Sequence, residues 1–150
     1  MAQLSRCFAR GRAEDGAQLV EFALVLPLLL LVMLGIAEFG FIFQRYEVVT
    51  NAAREGARLA VLPGYADADV QARVAAYLSS GRVPATPTNP NVTVANVSIP
   101  LAVGQPISAK RVTVTYTYTF QFLNALSAFF GWKFPFPLTA VSEMRTEAGS

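Results

Sequence analysis

The chain has 150 residues with a formal net charge of +2, and 53% of its residues are hydrophobic while only 15% are charged. This length allows one domain of ordinary size and no second folded domain beside it. Nucleic-acid binding is not expected, because it needs clustered Lys and Arg and the charge here is small and scattered. The apolar composition is typical of a small domain that carries a membrane span.

The residues that most often carry catalysis or bind metals are scarce. Histidine is absent, and the single cysteine, Cys7, lies before the hydrophobic segment. This composition removes the commonest general base and zinc ligand, and it excludes an intrachain disulfide and thiolate metal clusters. Acidic residues beyond the apolar segment are few and lie in separate predicted elements, which argues against paired carboxylates. We therefore expect neither an enzyme nor a bound cofactor or metal.

A long apolar stretch follows a polar start that holds three arginines. From Leu19 to Phe43 only Glu21 and Glu38 interrupt it, and as an α-helix it rises about 37 Å, enough to cross a bilayer. The arginines before it, without a comparable basic cluster just after it, predict a cytoplasmic N-terminus. The predicted organisation is a cytoplasmic leader at 1–16, without packed structure, a transmembrane helix at 17–43 and an extracytoplasmic domain at 44–150.

The helical pattern continues beyond the apolar stretch to Leu62, where a Pro-Gly pair ends it. Small residues recur there at every fourth position, at Ala52, Gly56 and Ala60, so one side of the helix is nearly free of bulk. We expect close packing on that side, against either the domain's own sheet or a neighbouring helix, in preference to a ligand groove.

The remaining pattern predicts one more helix and then strands. The helix runs from Asp67, as N-cap, to Ser80, with Gly81 as its stop. The predicted strands are Val92–Ile99, Arg111–Phe120 and Leu138–Arg145. In the second strand valines and tyrosines alternate with threonines, so one face should be core and the other wet. The fold class is α+β: a long N-terminal transmembrane helix continues into a domain with a second short helix and a small antiparallel sheet.

The segment from Gly16 to Phe22 joins the charged leader to the apolar stretch, and it resembles a prepilin. Its polar basic leader ends in glycine, and a glutamate stands at the fifth position of the would-be mature chain. The resemblance implies that an aspartyl prepilin peptidase cuts between Gly16 and Ala17, which makes Glu21 the fifth residue. Glycine lets an extended backbone enter a tight protease cleft. The new Ala17 ammonium would then pair with Glu21 of a neighbouring subunit, whereas the alternative leaves Glu21 at headgroup depth.

A longer similarity covers VEFALVLPLLLLVMLGIAEFGFIFQ and the following TNAAREGARLAV. Together these resemble the TadE-like family of tight-adherence pilus assembly proteins, strongly over about residues 14–62 and weakly in the last strand. The resemblance implies a pseudopilin or minor pilin of the inner membrane with a pilin-like domain. Its implied partners are a prepilin peptidase, other pilin or pseudopilin subunits, the secretion ATPase and the inner-membrane platform of a type IVc-like pilus, besides the lipid bilayer.

Other interpretations of the whole chain stay open beside this one. The chain could be an unprocessed membrane-tethered binding domain. A conventional signal peptide cut near Gly35-Ile36-Ala37 is less favoured, because acidic residues precede the apolar stretch and an apolar stub would remain.

Individual side chains also have two possible roles. Glu38 is either an assembly contact or a carboxylate that reaches water at the outer end of the helix, and its position favours water. Glu55 and Arg58 are spaced for an ordinary helical ion pair, although with Arg54 they could form a recognition surface. The aromatic segment Phe129–Phe136 suits core filling, a partner patch or the membrane surface.

Overall fold

The computed structural model describes the backbone of residues 4–86, 88–102, 104–122, 124, 131 and 135–146, and the side chains of these residues from position 16 onward. The described elements are α1 (Leu4–Ala60), α2 (Asp67–Ser80), β1 (Asn91–Ile99), β2 (Ile107–Tyr118) and β3 (Phe136–Arg145). They confirm the predicted α+β class, with a long N-terminal helix, a short second helix and a small antiparallel sheet. The chain divides into two compact units, Met1–Phe39 and Gly40–Ser150.

Helix α1 carries the apolar stretch and is helical from Leu4 onward, so the leader residues from that point belong to the same helix. By length and composition, the part from Gly16 to Ala60 contains a segment able to cross a membrane, with a mean hydropathy of 2.7 and none of that window buried. The apolar side chains of this stretch are mostly exposed, as Leu24 is at 75%. Such a surface suits a lipid surrounding.

The core of the second unit is built from α1, α2 and one face of the sheet. Small side chains of α1 lie beside branched side chains of the other elements, and this lets the backbones approach closely. The core residues that are at most 1% exposed are Val49, Ala52, Ala53, Ala57, Val70, Val74, Leu78, Val112 and Val114.

The sheet has the order β1-β2-β3, and both pairings are antiparallel. In the central strand Val112, Val114, Tyr116 and Tyr118 are buried while the threonines between them stay partly exposed, which confirms one core face and one wetter face. Strand β2 begins at Ile107 and not at the predicted Arg111, because residues 107–110 pair with the end of β1. Every residue of an inner strand needs backbone partners, and β1 supplies them there.

Helix α2 has the predicted bounds, but its N-cap differs from the prediction. Ala66 occupies that position, and its backbone N–H donates to Asp69 Oδ2 at 2.8 Å. The prediction that Asp67 caps the helix is therefore wrong, since a carboxylate three residues into the helix satisfies the cap backbone instead. Asp67 lies in the first helical turn and forms an ion pair with Lys110 of β2 at 3.5 Å.

The C-terminal end of α2 is held against α1 by a close approach and by a cation. A Cβ on Gly81 would lie 2.4 Å from Val48 Cγ1, so only glycine fits there without a shift. Arg45 Nη1 donates to the carbonyl of Gly81 at 3.5 Å and also to the carbonyl of Arg82. The last carbonyls of a helix lack helical partners and favour a positive charge, so Arg45 stabilises this end of α2.

The packing around Gly56 predicts a strong effect of a larger side chain. A Cβ there would lie 2.6 Å from Val74 Cγ2 and 3.3 Å from Val112 Cγ1. We expect Gly56→Leu to lower the free energy of unfolding by about 3 kcal/mol, because β-branched neighbours have stiff side chains and cannot move aside. Near-ultraviolet circular dichroism of the protein in detergent during denaturation measures the effect.

Gly40→Leu is the matched control, because it lies in the same helix and a Cβ there meets nothing within 4 Å. The control should not lower the free energy of unfolding, and it should raise it slightly if anything, because leucine is more favourable than glycine in a helix. Equal curves for both variants would contradict the packing argument.

Candidate assembly and processing site

The bond between Gly16 and Ala17 lies within the continuous helix α1. Residues 16–20 are exposed, and a Cβ on Gly16 would meet nothing within 4 Å. A protease that binds an extended backbone must first open the helix at this point. Glycine lowers that cost, because it is less favourable in a helix than alanine by about 1 kcal/mol.

The two carboxylates of the apolar stretch have different surroundings. Glu21 is exposed within the described residues, whereas Glu38 is only 1% exposed. They lie about 25 Å apart along the helix axis, from the rise per residue. The interpretation that Glu38 reaches water is wrong, because position along a helix indicates depth but does not show which side chains cover a given face.

The small residues of α1 lie in the core of the second unit. Ala52 and Gly56 are buried, and Ala60 is 8% exposed. A Cβ on Gly56 would meet Val70 and Val74 of α2 as well as Val112 of β2. The stripe therefore contacts both of the surfaces that the sequence left open, the domain's own sheet and a second helix.

Glu55 lies beside two arginines from different helices. Its carboxylate accepts a hydrogen bond from Arg73 of α2, with Nη2 at 2.8 Å from Oε1, and another from Arg58 of α1, with Nε at 3.3 Å from Oε2. The spacing predicts the pair with Arg58, which is present. The pKa of Glu55 lies below its ordinary value. The hydrogen bond from Arg73 has the largest effect, and the hydrogen bond from Arg58 has the next largest.

This cluster gives a stability difference that depends on pH. The pKa of Glu55 is lowered on folding, so its contribution is present above the ordinary value of 4.5 and is lost as pH falls through the folded value below that. We expect Glu55→Gln to reduce the free energy of unfolding by up to about 1 kcal/mol at neutral pH, since the pairs are partly exposed. Urea unfolding between pH 3 and pH 8 measures the difference, with both pH limits chosen to bracket the range over which the carboxyl titrates.

The matched control is Glu47→Gln, because Glu47 is exposed on the same helix and forms no ion pair within the described residues. It should unfold like the parent protein at every pH. A Glu55→Gln effect that persists at the acidic end would show that shape, and not charge, carries it.

A comparison with known families finds one family model that covers most of these residues. A family model described as TadE-like protein matches residues 16–58. This segment is similar to TadE-like proteins. The resemblance stated from its motifs is thereby confirmed there, and the match includes Gly16, Glu21, Glu38 and Gly56 but ends before α2 and the sheet. Comparisons with curated proteins and with solved structures find no match.

The match indicates a general functional context for the chain. The TadE-like family points to assembly of tight-adherence pili, and the exposed apolar helix points to anchoring in a membrane. No group of three or more residues suited to hold a metal ion occurs among the described residues.

The contacts of three residues in the second unit were not predicted from the sequence. Arg73 reaches Glu55 from a separate helix, Arg45 stabilises the end of α2, and Gly81 permits the close approach of α1 and α2. Only Gly81 had a sequence signal, as a helix stop. Of the aromatic segment, residues 129, 130 and 132–134 lie outside the described residues, while Phe136 begins β3.

Proposed function

We propose that the chain is a pseudopilin or minor pilin that takes part in assembly of a tight-adherence, type IVc-like pilus. The observation that carries this proposal is the TadE-like match over residues 16–58, which spans the candidate processing glycine, the apolar stretch, and Ala52 and Gly56 of the small-residue stripe. In this proposal the chain crosses the inner membrane once, with a cytoplasmic N-terminus and the second unit in the periplasm or outside the cell. It acts by assembling and has no catalytic role of its own.

The exposed apolar side chains of α1 suit a helix that contacts lipid first and helices of other subunits later. Lipid surrounds the residues from Leu19 to Phe43 before assembly, and helices of other subunits replace part of that lipid afterwards. Because lipid tails are as apolar as leucine, this exchange has little hydrophobic driving force. Polar groups within the apolar stretch therefore have a large influence on which arrangement forms.

Glu21 is the polar group best placed for such an influence at the start of the span. A charged carboxylate in hydrocarbon costs several kcal/mol unless a positive group compensates it. Cleavage after Gly16 by a prepilin peptidase would create the Ala17 ammonium, and this ammonium would pair with Glu21 of a neighbouring subunit. The pair would set the axial register between subunits, because both charges are costly when they are left alone.

The first test of this proposal concerns cleavage. We expect Gly16→Val to block it, because a β-branched side chain crowds a narrow cleft and stiffens the backbone, whereas Gly16→Ala should still be cut. Mass spectrometry of membrane-extracted protein from cells with and without the peptidase locates the N-terminus. Recovery of the intact parent chain from peptidase-competent cells would favour an unprocessed membrane-tethered binding domain.

The second test concerns assembly, and its subject is Glu21→Ala. We expect normal protein level and normal cleavage, but loss of pili and of crosslinks between subunits, because the Ala17 ammonium would enter the assembly unpaired. Gln18→Ala is the matched control, since it removes an exposed polar side chain from the same turn and keeps the carboxylate. Normal pili and normal crosslinks in Glu21→Ala would reject the pairing step.

A further inference from the structure

The chain direction of β2 brings its end to the apolar end of α1. Within the second unit, a Cβ on Gly56 would lie 3.3 Å from Val112 Cγ1 of β2. Phe41 lies nearer the start of α1, and its ring centroid is 6.0 Å from that of Phe122, which follows the end of β2 by four residues. The chain direction of β2 is therefore opposite to that of α1: its later residues lie near the earlier residues of this part of α1. The turn after β2 consequently lies beside the last apolar residues of the span.

Exposed aromatic side chains gather at this end of the second unit. The pairing of Tyr118 with Phe136 brings the start of β3 to the same end of the sheet. We call the group the aromatic collar, and its members are between 38% and 64% exposed: Phe41, Phe43, Tyr46, Phe122 and Phe136.

The length of the apolar stretch indicates the depth of the collar. From Leu19 to Phe43 a helix rises about 37 Å, whereas the hydrocarbon core of a bilayer is about 30 Å thick. The last turns of this stretch therefore leave the hydrocarbon and enter the interfacial region. Arg45 stands two residues after Phe43, and its contact with the carbonyl of Arg82 brings a second, exposed arginine to the same level.

We infer that the aromatic collar lies in the interfacial layer of the outer leaflet, so that the second unit contacts lipid headgroups directly. Aromatic rings prefer this layer, and arginines beside them reach the phosphates. Phe41 and Phe43 belong both to the collar and to the end of the apolar stretch, and Phe122 contacts Phe41. This inference rests on membrane anchoring by α1 and on the proposed orientation with a cytoplasmic N-terminus, and it does not depend on a role in pili.

A fluorescent probe beside the collar tests the contact. The full chain carries Cys7→Ser and Thr119→Cys, the latter labelled with an environment-sensitive dye and reconstituted in phosphatidylcholine vesicles. Thr119 is exposed and stands between β2 and Phe122, so the collar itself stays intact. We expect quenching by lipids with a nitroxide near the headgroup to be several-fold stronger than at a control site, and quenching by aqueous iodide to be several-fold weaker.

Val141→Cys is the control site, because Val141 is 55% exposed and pairs with Thr113, away from the collar end of the sheet. In the Thr119 probe protein, Phe122→Ser with Phe136→Ser should raise iodide quenching toward the control value. Iodide access at Thr119 equal to that at Val141 would overturn the inference. The inference would also be overturned if the dye at position 119 became accessible to iodide when the protein is diluted in lipid, because a second copy of the chain, and not lipid, would then have covered the collar.

Vesicle flotation separates failure of the inference from failure of anchoring. Protein that floats with vesicles but has an iodide-accessible Thr119 probe is anchored without collar contact, which refutes the inference alone. Protein that does not float refutes membrane anchoring itself, and with it both the inference and the proposed function.

Discussion

The close approach of α1 to its neighbours at Gly56 is the constraint on which the rest of the second unit depends. Branched side chains of α2 and β2 occupy the space that a Cβ would need there. Because both elements contact the same small face, a change in that face displaces helix and sheet together. Together with the contact between Phe41 and Phe122, this close approach also places the end of β2 near the last apolar residues of α1. A packing detail in the core thereby sets which surface of the domain the proposed bilayer contact uses.

Charges add specificity to this packing. Glu55 joins α1 to α2 through Arg73, Asp67 joins α2 to β2 through Lys110, and Arg45 holds the far end of α2. Each contact is partly exposed and contributes little energy alone. Together they lie at both ends of α2 and near its middle, so they oppose sliding of this helix along α1, which a smooth face of small residues would otherwise permit.

The parts of the fold that the sequence predicted best are those with a strict local period. The alternation in β2 identified its buried face correctly, and Gly81 identified the C-terminal end of α2, although the predicted N-cap of that helix was wrong. The failures concern contacts that no local pattern encodes. The pairing of Arg73 with Glu55 requires two helices to meet, and the burial of Glu38 depends on what surrounds its helix. The extension of β2 to Ile107 followed from the length of its partner strand.

The proposed cleavage would also change the electrostatics of the helix itself. Ala17 would become the first residue of α1, and the unpaired N–H groups of a helix start carry about half a positive charge besides the new ammonium. Glu21 would then lie about 6 Å along the axis from that ammonium, in the field of its own helix. Pairing with a neighbouring subunit would therefore compete with this internal compensation. The net gain would be smaller than the full cost of an isolated carboxylate, and a small net gain permits subunits to leave the assembly as well as to enter it.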